Sequence, residues 1–520
     1  MRLSLIVFLS LLLLKGNAQT IAVGQTATES ALRNLQLNGK LDANFSSFTI
    51  RPIISNDSIN LQTVLNLTDS TFKLKANRKN FQLLPISWNT KFNNERPFGW
   101  NDAGMRMVRG FQQSFSAGFY LKAGPLTVQL QPEYYQINPQ NYQTTPSFGS
   151  NSNKPLSKGY WGQSSIRLNT KKLSLGISTE NLWWGPGQFN SIFMSNNAPG
   201  FKHLTFNTRK PIKTWLGNFE WQLIVGQLNE DTSLAFESNY LKPTAAKNES
   251  RYFNAFVITY QPKWMKNLFL GLIRFEQLYQ TAQEIRQGSF LKKYLPALSY
   301  ESANENIRGT TPNDGGVGLF ARWILPTEQA EVYFEYGYND FKQNIRDLTV
   351  NSNHANAYLV GFKKIFNSHK RSQSFYELSG EIINMAQNAS YIIRNGGNWY
   401  EHGIIQQGYT HQNQIMGAGS GFGNNVQTIA IKKVNGWNYF GIKFQRIQQD
   451  PKRLIPINIS SLGMRNFIWN DYDFGLLLQK RIKSLVFNGE AHWIQSNNFG
   501  WQKSNKGNLF LQLNCLFILP

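Results

Sequence analysis

The sequence predicts an all-β fold: a transmembrane outer-membrane β-barrel of about eighteen antiparallel strands, led by a short, partly helical periplasmic N-terminal segment. Three observations point there. Among 520 residues there are 14 Trp, 21 Tyr and 37 Phe, yet the mean hydropathy is −0.39. That combination suits a chain whose alternate residues meet lipid and whose aromatic girdles mark two interfaces. Apolar and polar residues alternate with a period of two through most of the chain, and short connections between these segments alternate with long ones.

The N-terminus sets the compartment. Arg2 gives a positive start, Leu3 to Leu14 carries no charge, and Gly16-Asn17-Ala18 suits cleavage before Gln19, so residues 1–18 read as a signal peptide. The run is shorter than the ~20 apolar residues of a spanning helix, and no later stretch is apolar for long enough to be one. The one cysteine, Cys515, rules out an intrachain disulfide and with it a disulfide-rich secreted scaffold.

Residues 19–80 form the lead. Thr28 to Asn38 reads as a short helix with Glu29 in its first turn and Gly39 as its stop. The lead should sit in the periplasm, because the first strand must start there. The barrel follows over residues 81–520, with strands expected near 81–92, 107–122, 125–137, 159–169, 172–181, 203–210, 213–228, 251–262 and 267–280. Further strands fall near 315–324, 329–340, 355–365, 374–385, 425–433, 436–447, 470–482, 484–495 and 508–518.

The alternation is explicit within these segments. Val332, Phe334, Tyr336 and Tyr338 share one face, against Glu331, Tyr333, Glu335 and Gly337 on the other. Tyr472, Phe474, Leu476 and Leu478 likewise oppose Asp471, Asp473, Gly475 and Gln479. The polar faces suit a wet lumen. Short turns such as Ala123-Gly124-Pro125, Thr170-Lys171 and Val434-Asn435 alternate with long loops near 138–158, 182–202, 229–250, 281–314, 341–354, 386–424, 448–469 and 496–507. Outer-membrane barrels keep short periplasmic turns and long extracellular loops, which orients the long ones outward. Residues 284–298, EIRQGSFLKKYLPAL, read as a small helix within an outer loop.

The stretch ENLWWGPG (180–187) ends the fifth strand with two adjacent tryptophans before a Gly-Pro-Gly turn. Indole packs against the apolar C–H face of a sugar, and hydroxyls need planar donors and acceptors nearby. Glu180, Asn181, Trp183, Trp184, Asn196, Asn197, Lys202 and His203, joined by Tyr409 and His411, are therefore candidate glycan-binding residues. The competing reading makes both tryptophans girdle and loop-packing residues, pairs Glu180 with a neighbouring cation, and makes the histidines loop braces.

The run ENLWWGPGQFNSIFMSNNAPGFKHLTFNT (180–208) resembles the signature stretch of Wzi-type capsule assembly proteins, and GYTHQNQIMGAGSGFG (408–423) resembles a second segment of that family. The resemblance extends roughly from residue 81 to the end. It implies an eighteen-stranded outer-membrane barrel with a periplasmic helical element, a lumen occluded by outer loops, and a lectin-like role that assembles or retains capsular or other surface polysaccharide.

Removing Arg2 and Lys15 with the signal from 53 basic residues leaves 51 against 30 acidic ones, a net charge of +21. Such a surface favours acidic polysaccharide and anionic outer-membrane lipid as partners, together with the machinery that inserts barrels. Nucleic acid is not expected for an exported chain without a recognition module. A saccharide or small-solute channel would share the fold. A hydrolase finds little support: Ser420 in GAGSGFG lacks the glycines of a nucleophile elbow, and Asp471 with Asp473 reads as pairing with cations such as Arg481 or Lys443. No catalytic residue, cofactor or metal site is expected, since no His/Cys cluster has ligand spacing.

Overall fold

The computed structural model describes residues 20–24, 26–54, 81–140, 155–231, 249–299, 313–339, 355–367, 374–387, 399–450 and 467–518. The expected signal peptide and the loop at 341–354 lie outside these residues. The described part is dominated by one antiparallel sheet. Ile86–Asn93 pairs with Gly110–Ser116, and the ladder continues strand by strand through Gly217–Leu228, Arg251–Pro262 and Asn313–Leu325 to Leu485–Asn497 and Lys506–Phe517. Lys506–Phe517 also pairs with Ile86–Asn93, from Phe510 opposite Asn93 to Phe517 opposite Ile86, so the sheet returns on itself as a barrel.

Alternation decides which side of the wall each residue occupies. In Ala330–Asn339, Val332 and Phe334 are exposed while Glu331, Tyr333 and Glu335 are buried; in Asn470–Ile482, Phe474, Leu476 and Leu478 are exposed while Asp471 and Asp473 are buried. This inverts a water-soluble protein. The outward band of Ile166, Leu175, Ile177, Leu204, Leu319 and Ile442 is apolar and more than half exposed, far beyond what a monomer shows to water. Short turns hold the hairpins at one end. Ala123 faces Leu126, and Asn435 faces Asn438. Gly124 and Gly436, at φ 59° and 58°, supply the left-handed first turn position of each two-residue loop.

The lead is not a separate unit. Its helix, Thr26–Leu37, ends just before Gly39 much as expected, but the described residues of the lead, 20–24 and 27–54, are packed inside the wall. Leu32 and Leu35 cluster with Trp437, Val486 and Ile518, while Leu37 joins Phe269, Ile324 and Ile365. These wall residues lie near the short turns, so the helix closes that mouth. The physical reason is that its polar side is polar for lumenal partners and not for water: Arg33 Nε donates to Glu331 Oε1 at 2.5 Å and Asn34 Nδ2 donates to Glu377 Oε2 at 2.8 Å. At the opposite end, the single small helix expected over 284–298 is observed as two short helices, Gln280–Ile285 and Phe290–Tyr294, followed by a 3-10 turn at Pro296–Leu298.

Candidate functional site

The stretch after Leu173–Ser178 folds inward instead of outward. Trp183–Trp184 forms a two-residue ladder with Ile50–Arg51 of the lead, so a long loop and the N-terminal segment meet in the middle of the lumen. Trp184 is fully buried and its Nε1 donates to Gln222 Oε1 of the wall at 2.9 Å; the Arg51 guanidinium lies 4.4 Å from the Trp183 ring centroid. Neither indole offers a free face to a polymer.

The other expected residues follow suit. Glu180 accepts from Arg167 Nη2 and Thr20 Oγ1, both at 2.5 Å. Burial alone would raise its pKa, but Arg167 and the hydroxyl donors outweigh burial and hold the carboxyl below its ordinary value. Asn181 Nδ2 donates to Asn196 Oδ1 at 2.7 Å, and Asn197 Nδ2 donates to Ile415 O at 2.9 Å. His203 Nδ1 is 2.8 Å from Phe201 O. The Tyr409 ring packs 4.3 Å from that of Phe275, and His411 Nδ1 accepts from the Asn229 amide at 3.2 Å. Lys202 alone of the ten is exposed. The packing of Trp183 and Trp184 inside the lumen matches the competing reading of both as loop-packing residues; a Gly-Pro-Gly turn can return the chain into the lumen as readily as it can end a strand outside it.

The two stretches that carry the resemblance come together here. Ser195 N donates to Met416 O at 2.8 Å and Ser195 Oγ to Gly417 O at 2.5 Å. Tyr400 Oη donates to Ile192 O at 2.7 Å and accepts from Ala418 N at 2.8 Å. Phe193 enters a wall patch without side chains, where a Cβ on Gly318 would lie 2.1 Å from its ring. Sequence reasoning missed the wall acids that fasten this loop. Glu335 accepts from the Gly187 and Ile192 amides, both at 3.0 Å, and Glu381 accepts from the Gln188 amide at 2.8 Å and the Phe189 amide at 3.1 Å. Their spacing, with Glu331 and Glu335 on one strand and Glu377 and Glu381 on another, was the available signal: carboxylates at even intervals on inward faces.

Asp471 and Asp473 also have partners other than those expected. Asp471 pairs with Arg96 at 3.0 Å and accepts from Trp469 Nε1 and Ser496 Oγ; Asp473 lies 2.7 Å from His492 Nδ1. Lys443 pairs instead with Glu490 at 3.6 Å. Both aspartates are fully buried and engaged. Among the described residues no group of three or more His, Cys, Asp or Glu is placed to hold a metal ion.

The plug leaves space along one side. A cavity of about 200 Å³ lies between Glu29 and Arg51 of the lead, Trp100 to Asp102 and Trp183 of the loops, and Lys443, Glu490 and Asn514 of the wall. A second, of about 130 Å³, shares Gly24, Asn101, Asp102, Asn196 and Asn514 with it and continues along Ser87, Ser114 and Ser116.

Comparison with known proteins gives three results. The family model of capsule assembly protein Wzi matches residues 93–458. The chain is similar to the solved structure of Escherichia coli Wzi, described as a carbohydrate-binding β-barrel of the outer membrane involved in group 1 capsule assembly, at a TM-score of 0.62 and 14% identity, covering 96% of this chain and 99% of that one. Pseudomonas aeruginosa OccK7 aligns at a TM-score of 0.42 and 9% identity over 86% of this chain and 100% of its own. No curated protein sequence matches. The match to the Wzi model spans most of the chain and includes both of the stretches that knit the lumenal plug together, so this chain belongs to the Wzi capsule assembly family.

Proposed function

We propose that the chain is a plugged outer-membrane barrel that binds surface polysaccharide noncovalently and helps to assemble or retain it on the cell. The antiparallel ladder and its outward apolar band are what an eighteen-stranded barrel in lipid calls for. The long loops then face the outside, the lead occupies the periplasmic mouth, and residues 1–18 are an export signal. The observation that carries the reading is the plug itself. Residues 180–203 and 399–424 fill the lumen with mutually bonded, buried groups, which supports a rigid platform for polymer over an open pore. E. coli Wzi is described as carbohydrate-binding, and the +21 net charge of the mature chain suits an acidic polymer.

The test is the fate of polysaccharide in a deletion strain. Polymer made but released into the medium supports retention, whereas normal attachment with altered nutrient uptake overturns it. The two neighbouring cavities along one wall, which share lining residues, favour a second reading, a narrow solute path. Planar-bilayer recording separates the two: silence supports the plug and steady conductance supports the path.

A further inference from the structure

We propose that the larger lumenal cavity is a binding site for one neutral hexopyranose unit. The proposal rests on the reading of the chain as a polysaccharide binder and locates a site within it that is distinct from the outer face. Three observations converge on a sugar.

The first is size. The cavity holds about 200 Å³, well above the ~30 Å³ that one water takes in the liquid and comparable to the ~150 Å³ of an engineered cavity that accepts benzene. The second is polar pattern. Five residues of its lining each keep a buried polar atom with no hydrogen-bond partner among the described residues: Trp183 Nε1 and Arg51 Nε are donors, and Glu29 Oε1, Asn101 Oδ1 and Asn514 Oδ1 are acceptors. Buried polar groups are normally bonded. Hydroxyl groups both donate and accept, so a polyol meets this mixed set, which a purely anionic or purely cationic ligand does not. The third is the apolar wall. Phe98 lies 5.5 Å from Trp100 and 5.4 Å from Phe510, edge to face, and all three line the cavity. These rings can receive the C–H face of a pyranose.

Charge selects a neutral sugar over a uronate. Arg51 is paired with Glu29 at 3.0 Å, Lys443 with Glu490 at 3.6 Å and Asp102 with Lys91 at 2.9 Å. Both cations of the lining, Arg51 and Lys443, already face carboxylates, and an added anion would meet three half-buried acids.

Saturation-transfer NMR on the full-length protein in detergent, with the methyl glycosides of glucose, galactose and mannose and with glucuronate as the charged counterpart, tests the proposal. Saturable transfer to at least one neutral glycoside and none to glucuronate is expected. Asn514→Leu removes an acceptor that makes no hydrogen bond among the described residues, and Trp100→Leu removes part of the wall; each should weaken binding at least tenfold in a barrel that keeps its heat-modifiable mobility. Absence of transfer to every neutral glycoside, or binding untouched by both substitutions, overturns the site, and in the first case the cavity is a water reservoir. Polysaccharide retention by cells carrying Asn514→Leu reads the outer-face function separately, so loss of the cavity site leaves that function standing.

Discussion

The two halves of the barrel wall meet the plug differently. On the strands from Arg251–Pro262 to Asn425–Asn435, inward positions carry Glu331, Glu335, Glu377 and Glu381, and each accepts from the lead or from the 180–203 loop. Around Leu485–Asn497, Lys506–Phe517, Ile86–Asn93 and Gly110–Ser116, many inward positions are Ser87, Asn89, Ser114, Ser116, Asn488 and Asn514, and the cavities lie there. A buried carboxylate has to be partnered, so it draws backbone amides and guanidinium groups against the wall. Small neutral side chains make no such demand, and space remains. The plug is therefore clamped by wall carboxylates on one side, while on the other it is tied at points such as Lys91 to Asp102 and borders open space.

Substitutions should read this asymmetry directly. The largest effect is expected from Glu331→Ala, which leaves Arg33 and Arg322 buried without the carboxylate that each contacts at 2.5 to 2.8 Å. The cost should approach the top of the range of about 3–5 kcal/mol for a broken buried pair. Proteolysis of residues 20–54 in the folded barrel measures it, and unchanged protection would show that the lead is not held by this acid. Next comes Trp184→Ala, at about 3–4 kcal/mol for a large buried side chain. Because the wall keeps its own ladder hydrogen bonds, the heat-modifiable band should persist while conductance appears; loss of the band itself would make the indole a determinant of the whole barrel. Gly318→Val drives a methyl group into Phe193 and should cost about 1–3 kcal/mol, read as a lower denaturation midpoint.

Acidification should act more locally. Burial lowers the pKa of His411 from 6.5 to about 3, with Arg251 and Lys158 adding to the shift. The opened hairpin takes up a proton near pH 6.5 and the closed one does not, so the stability contributed by the neutral ring is present above pH 6.5 and is lost as pH falls toward 3. Hydrogen exchange at Thr410 to Gln412 should rise through that window and level off in His411→Gln. The smallest effect belongs to the side with the cavities. The Ser116 hydroxyl is buried with no partner among the described residues, and Ser116→Ala should change the midpoint by no more than about 0.5 kcal/mol. A large loss there would erase the contrast between the halves.

Much of the wall was legible in advance. Glu331, Val332 and Tyr333 read correctly as in, out and in, because a pleated strand sends successive side chains to opposite faces whatever lies beyond them. The strand expected at 470–482 is observed as Asn470–Ile482. The site was less legible. Trp183, Trp184 and Tyr409 read as candidate sugar contacts or as loop-packing residues, and all three are packed inside the lumen, since a residue's type says nothing about whether its loop turns inward. Asp471 and Asp473 read as pairing with cations such as Arg481 or Lys443; Asp471 does meet a cation, but it is Arg96, from a loop 375 positions away in the chain, a distance no local pattern spans.

The sequence by itself determined the period of two, the rhythm of short turns and long loops, and the two stretches that mark the family, because each is a property of neighbours in the chain. What fills the barrel was decided by tertiary structure alone. The Arg33 to Glu331 contact joins residues 298 positions apart, and the Trp183–Trp184 ladder with Ile50–Arg51 joins a long loop to the lead. Lumenal charges are satisfied only when the wall has closed around the segments that supply their partners, so the identity of those partners, and the cavity left where none is demanded, exist only in the folded molecule.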